Sequence, residues 1–180
     1  MKINLNSSAM LISNLVLLIT ALSVALITGL WYAYSCSVNL GLGKLPDREY
    51  LMGMQSINRE ILNPVFFATF MGSLLLLPVC SWLNYGHPRF IFLLTASAIY
   101  AIGVFGVTIG GNVPLNNALD AFNIHSSSAQ EIINQRLNFE QPWNKLHQIR
   151  AIASLISLIL VLIACVYNSP AAGSIEPPLK

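Results

Sequence analysis

Three residues late in the chain, Trp143, His147 and Arg150, are spaced four and three apart. On a helix that spacing places all three in one stripe about 60° wide. A histidine with its ordinary pKa of ~6.5 can accept or return a proton. An arginine offers a permanent cation, and an indole offers a flat apolar wall. Asn112 and Asn116 are four apart and share a face if their segment is helical. Their amides could donate to a developing oxyanion. Asn117 adjoins them, and a third polar set, Gln55, Asn58 and Arg59 with Glu60 beside it, comes earlier. Each set also has a plainer use. Trp143 could sit in an interfacial belt, Arg150 could snorkel to phosphate, and His147 could be an ordinary interfacial histidine. The asparagines could cap helices and make turns. On spacing alone the plainer uses are favoured.

The elements that must carry these residues are set by where charge is missing. Lys2 and Lys44 have no Asp, Glu, Lys or Arg between them, and the same holds for 62–86, 90–119 and 151–174. A helix crosses the ~30 Å hydrocarbon layer in ~20 residues. The expected fold is therefore all-α: a four-transmembrane-helix bundle with spans at about 10–34, 65–83, 90–109 and 151–167. Of the 180 residues, 55% are hydrophobic and 9% charged, whereas soluble domains carry ~25% charged residues. Lipid must cover what charge cannot. The net charge of +2 and the lack of a basic run exclude nucleic-acid binding. The first apolar stretch is too long for the ~7–15-residue core of a signal peptide and reads as a retained anchor. Residues 1–168 form one integral membrane domain, and 169–180 read as a disordered tail.

The connections come next. Trp31, Tyr32 and Tyr34 read as an aromatic belt at the exit of the first span. The glycine-containing 35–43 segment reads as a loop or re-entrant turn. Asp47 is expected to cap a helix over about 48–62, and Asn63 to cap the second span after a break at Asn63-Pro64. Pro78 is expected to kink that span. The short turn at 84–88 makes spans two and three an antiparallel hairpin. Gly110-Gly111 is expected to end span three, with Asn112 capping a short helix. Ser128-Ala129-Gln130-Glu131 has the form of a capping box that starts a helix of about ten residues. Gln141-Pro142 is expected to start another, running into span four. These short helices, in two long connections, form a polar cap on one side. Cys36, Cys80 and Cys165 give no disulfide framework. A Cys80–Cys165 bridge is geometrically allowed, but packed free thiols are favoured. Four spans put both termini on one side. Six of the seven acidic residues lie on the other, which points to cytoplasmic termini and a multi-pass protein of the cell (inner) membrane.

Several of these segments together resemble the anthrone oxygenase-like family of small four-span membrane proteins, many of them known only as a domain of unknown function. The similarity runs from about residue 20 to 165. Its parts are Gly29-Leu30-Trp31-Tyr32-Ala33-Tyr34-Ser35 with Val38-Asn39-Leu40-Gly41-Leu42; Met54-Gln55-Ser56-Ile57-Asn58 with Asn63-Pro64 and Phe66; Asn112-Val113-Pro114-Leu115-Asn116; and Trp143, His147 and Arg150. The first part is the loosest, since the family often has a small or aliphatic residue where Trp31 stands. Gly29-Leu30-Trp31 is also similar to a triplet of claudin-like junction proteins. There it lies in an extracellular sheet before paired cysteines. Here it lies in an apolar span followed by Cys36 alone, and that alternative is set aside.

The resemblance implies oxidation of a lipophilic aromatic, anthrone- or quinone-type molecule by dioxygen, without metal or flavin. In that reading His147 is the general base, and Arg150, Asn112 and Asn116 stabilise the enolate oxygen. Trp143 and Tyr32 wall the substrate, with Asn58 and Gln55 near it. The partners implied are the lipid bilayer and a small lipophilic aromatic ligand; whether the protein is a homo-oligomer stays open. Two other readings stay open. One is a binding module for a hydrophobic ligand or haem, with His147 and His125 as axial ligands. The other is an accessory subunit of a membrane complex, in which Arg150 and the asparagines contact protein.

Overall fold

The computed structural model describes residues 5–167, so the tail expected at 169–180 lies outside the described residues. Helix α1 covers 5–42 and contains a wider π-helical turn at Tyr34–Val38. Helix α2 is Asp47–Glu60, and α3 is Pro64–Leu83. Helix α4 covers 90–120, with π-helical stretches at Tyr100–Gly106 and Thr108–Asn112. Helix α5 is Ala129–Val166.

Four of the five, as Met10–Leu42, Pro64–Leu83, Phe90–Asp120 and Ala129–Val166, are long and apolar enough to cross a membrane. The chain is an all-α, four-span integral membrane protein. The spans pack in a ring, α1 on α3, α3 on α4, α4 on α5, and α5 back on α1. Consecutive spans run antiparallel. At the turn end, Ser13 donates to Asn84 (3.1 Å) and Arg89 to Asn14 (3.1 Å), tying α1 to the α3–α4 turn. Gly86 provides the positive φ (84°) of that turn.

The interior sets several small polar residues among large ones such as Phe70, Leu77, Leu93 and Tyr100, and small polar contacts are expected where lipid removes the hydrophobic drive between helices. Ser23 and Ser73 are 3.0 Å apart, Ser157 donates to the Ala96 carbonyl (3.2 Å), and the Tyr100 hydroxyl donates to the Phe70 carbonyl (2.9 Å). At Gly103 a Cβ would stand 2.6 Å from that of Ala153. Glycine there lets α4 and α5 touch.

The main departure from expectation lies in the cap. It consists mostly of helical extensions. Helices of 33, 31 and 38 residues reach about 45–57 Å at 1.5 Å per residue, well beyond a ~30 Å layer. The loop expected at 35–43 is helical to Leu42. Gly110-Gly111 does not end span three, because Leu146 of α5 packs against Gly111, where a Cβ would meet its Cδ1 at 2.7 Å. Asn112 is therefore mid-helix (φ −65°, ψ −40°) and makes no cap bond. Gln141-Pro142 starts no helix either. Proline costs an interior helical bond, but buried Phe139 and Trp143 flank it and anchor both sides in the cap core with Tyr50, Leu51 and Met54. Asp47 is the first residue of α2 and not its cap, a place taken by Pro46.

Two local expectations match the structure. Asn63 Oδ1 accepts from the Phe66 amide (3.0 Å), and Ser128 and Glu131 form the reciprocal capping box. The cysteines are free thiols, but of the expected packed thiols only Cys80 is buried, while Cys36 and Cys165 are exposed.

Candidate functional site

The π-helical turn at Tyr34 falls where α1 leaves the apolar core, and turns of this kind are frequent at functional sites. Trp31, Tyr34 and Ser35 face α5 there. The indole of Trp31 is only 3% exposed and Tyr34 is buried, so neither is a belt residue, whereas Tyr32 is 68% exposed. Tyr32 lines a shallow apolar groove with Thr28, Ser35, Ala151 and Leu155, outside the space walled by Trp31 and Tyr34. Trp31 and Tyr34 occupy the place expected for it.

On α5 the stripe Trp143, His147 and Arg150 is buried, with His147 1% and Arg150 4% exposed. The His147 ring stacks on Trp143 at 5.3 Å between centroids, with a 6° interplanar angle, and meets Trp31 edge-on at 6.1 Å. The Arg150 guanidinium carbon lies 3.9 Å from the Trp31 ring centroid and 5.0 Å from that of Trp143. Among the described residues no carboxylate pairs with Arg150. Its Nη2 is 3.4 Å from His147 Nδ1, and its Nε has no partner. A buried cation between two π faces is held by their quadrupoles and keeps its charge for something else.

Helix α4 supplies the asparagines. Asn116 Oδ1 accepts from the Trp143 indole N–H (2.8 Å), and Asn112 Nδ2 donates to the Trp143 carbonyl (3.3 Å). Both fix Trp143. Asn116 also lines the cavity described next, while the buried Asn112 does not. From α2, Asn58 reaches the same cavity with its buried Nδ2 unpartnered. Gln55 does not line it. Its amide donates to the carbonyls of Leu119 (2.8 Å) and Phe122 (3.0 Å), fastening α2 to the end of α4.

The inner cavity holds about 60 Å³ and is walled by Trp31, Tyr34, Phe66, Thr108, Trp143 and Arg150, with Asn58 and Asn116 at one side. It shares Asn58, Leu62, Val113 and Asn116 with an outer groove of about 130 Å³ that ends at Arg59, Asn117 and Asp120. Three of its residues carry a buried donor atom without a partner: Trp31 Nε1, Asn58 Nδ2 and Arg150 Nε. An unsatisfied buried donor costs about 1–3 kcal/mol. His147 does not line this space; Arg150 stands next to it there. His147 and Ser35 line a separate polar chamber of about 440 Å³ with Asn39, Lys44, Glu140 and Asn144. His125, the other axial candidate for haem, lies in an exposed turn and lines neither space, so the structure does not pair it with His147.

Trp31, Tyr34, Ser35, Phe66 and Thr108 were missed as site residues. Trp31, Tyr34 and Ser35 carry a signal, since they sit at i, i+3 and i+4 within a charge-free span. Phe66 carries one only as part of the Asn63-Pro64 motif, and Thr108 carries none.

Fold and site together define a small membrane protein whose polar, aromatic-walled pocket lies at one end of a four-span bundle. The chain belongs to the anthrone oxygenase family, whose model matches residues 63–160. That match includes Asn63-Pro64, the Asn112–Asn116 segment and the Trp143, His147, Arg150 stripe, but not the first span or α2. Comparison with curated proteins and with solved structures gives no match.

Proposed function

We propose that the protein is a membrane oxygenase for a lipophilic, planar aryl ketone of the anthrone type, acting without metal or flavin. The observation that carries this reading is a cavity walled by Trp31, Tyr34, Phe66 and Trp143, three of whose residues, Trp31, Asn58 and the buried cation Arg150, carry donors without a partner. A planar ketone matches both features. Its rings lie between the aromatic walls, and its oxygen accepts from Arg150 Nε, Trp31 Nε1 and Asn58 Nδ2.

The methylene opposite the ketone is acidic because its anion is delocalised onto that oxygen. Donors aimed where charge develops favour the enolate over the ketone. His147 stands beside Arg150 and does not line the inner cavity, so the guanidinium must swing aside and the ligand must shift toward α5 before Nδ1 takes the C–H proton, the electron pair staying on the ligand. The carbanion passes an electron to dioxygen, the two radicals join as a peroxide anion, and the proton held by His147 returns to it. Loss of water then leaves a second ketone. One ketone and one dioxygen thus give one quinone and one water. The inner cavity and outer groove are smaller than the ~300–1,000 Å³ usual for ligand sites, so entry requires the groove to widen.

The test is dioxygen uptake with anthrone as probe, above its spontaneous oxidation, by the full-length protein in nanodiscs. Uptake is expected in the wild type and lost in His147→Gln and Arg150→Met. A wild-type rate equal to the spontaneous one overturns the activity, and an unchanged rate in His147→Gln removes His147 as base. A rate abolished by a metal chelator would overturn the metal-free mechanism. We also place the termini in the cytoplasm, on the acidic-residue asymmetry. An impermeant thiol reagent outside intact cells should then label the exposed Cys36 at the cap end, a signal absent in Cys36→Ala.

A further inference from the structure

We infer that Ser35 is a positioning residue that fixes the tautomer of His147, holding its proton on Nε2 and its free lone pair on Nδ1. Nothing in the family match covers Ser35, which precedes the matched residues. The argument is a count of protons. His147 Nδ1 faces Arg150 Nη2 at 3.4 Å, and a guanidinium nitrogen only donates. Nδ1 must therefore present its lone pair, and the neutral ring carries its hydrogen on Nε2. That nitrogen is 2.9 Å from Ser35 Oγ. Ser35 has one hydroxyl hydrogen, and the Trp31 carbonyl accepts it at 3.0 Å. The serine oxygen is then free to accept from Nε2–H. The chain runs in one direction, from Arg150 to His147 to Ser35 to the Trp31 carbonyl. The reverse tautomer would point an N–H at the guanidinium and force Ser35 to leave the carbonyl.

The consequence concerns the base assigned above, and to that extent the inference rests on the proposed function. Nδ1 is the ring nitrogen next to Arg150, which itself lines the inner cavity. Nε2 faces Ser35 and the polar chamber. A histidine with its proton on Nδ1 would present no lone pair toward the ligand.

The tautomer can be read without any turnover. Full-length protein labelled with ¹⁵N-histidine, in nanodiscs at pH 8, above the ordinary histidine pKa of ~6.5, gives separate shifts for protonated and bare ring nitrogens. His147 is assigned by its loss in His147→Gln. The wild type should show one tautomer, with Nε2 protonated. Ser35→Ala should shift the tautomer ratio by roughly three- to tenfold, the worth of one hydrogen bond, and Ser35→Thr should restore it. A wild-type proton on Nδ1, or a Ser35→Ala spectrum unchanged from the wild type, overturns the inference. In the kinetic arm, Ser35→Ala should lower kcat several-fold with KM within twofold, with recovery in Ser35→Thr. Absent wild-type turnover would sink the proposed function while the spectra still decide the role of Ser35.

Discussion

Arg150 and Trp31 form a cation–π pair, with 3.9 Å between guanidinium carbon and ring centroid. No carboxylate neutralises the pair among the described residues. A buried charge without a counter-ion is a burden on the fold, since removing it for an apolar side chain of similar volume is often neutral or stabilising. On the proposed function its place between two indoles, next to a histidine, serves ligand binding and not stability.

This gives opposite expectations for two measurements. Arg150→Met should leave the Tm in nanodiscs unchanged or higher, yet abolish binding of a planar ketone followed by quenching of Trp31 and Trp143 fluorescence. Arg150→Lys keeps the charge but loses the planar fork that covers both rings and reaches His147. Tenfold weaker binding or worse is expected, in line with the ~2 kcal/mol of a desolvated cation–π contact. A large drop in Tm for Arg150→Met would show that the residue holds the fold together.

At the outer groove, Arg59 Nε meets Asp120 Oδ1 at 2.6 Å, joining the ends of α2 and α4. Both side chains are more than half exposed, so the pair is worth only ~0–1 kcal/mol. Its position matters more, because it lies across the groove that leads to the inner cavity. Arg59→Gln should move the Tm by no more than about 4 °C. The association rate of the ketone should rise several-fold with the equilibrium affinity less affected. Stopped-flow quenching separates the two, and an unchanged association rate would mean that ligand enters elsewhere.

The four spans were legible because lipid imposes one rule on every span, which a run without charge satisfies. The Trp143, His147, Arg150 stripe was legible because a continuous helix preserves its spacing. The ends of the spans were misread for one shared reason. Gly110-Gly111 and Pro142 are local stop signals, yet tertiary contact overrides them at Leu146 and at the Phe139–Trp143 core. The belt reading failed for another reason. It treated Trp31, Tyr32 and Tyr34 as one set, although Trp31 and Tyr34, three apart, share a helical face that Tyr32 does not, and the structure buries that pair and exposes Tyr32.

Gly103 tests how closely the spans must approach. An added Cβ would stand 2.6 Å from the Ala153 Cβ, an atom with no rotamer to escape into. Gly103→Ala should therefore push α4 from α5 and destabilise the bundle by about 1–3 kcal/mol, the usual range for overpacking. Gly29 has nothing within 4 Å of its added Cβ, and Gly29→Ala should be neutral or slightly stabilising through helix propensity. Thermal unfolding in detergent compares the two. Equal effects would mean that the helices adjust without strain at this crossing.

Tyr50 makes the stability of the cap sensitive to alkali. Its ring is 2% exposed and packs beneath Arg136, whose guanidinium carbon lies 4.4 Å from the ring centroid. Arg136 in turn bonds Asp47 (2.9 Å), Glu140 (2.7 Å) and the carbonyls of Gly43 (3.0 Å) and Leu45 (2.8 Å), pinning α2 and the end of α1 to α5. Burial raises the Tyr50 phenol well above its ordinary value, and the Glu140 carboxylate raises it further, with Arg136 opposing in part. An unfolded tyrosine loses its proton near pH ~10. Above that pH the unfolded chain binds fewer protons than the folded one, so stability must fall as pH rises. The contribution is fully present below pH ~10 and is lost as pH climbs towards the raised folded value, at no more than about 1.4 kcal/mol per pH unit. Tyr50→Phe keeps the ring and removes the titration. Its Tm should fall less steeply than that of the wild type between pH ~9.5 and ~11.5, from about 0.5 unit below to about 1.5 units above the free phenol pKa, and parallel curves would show that Tyr50 ionises no differently in the folded cap.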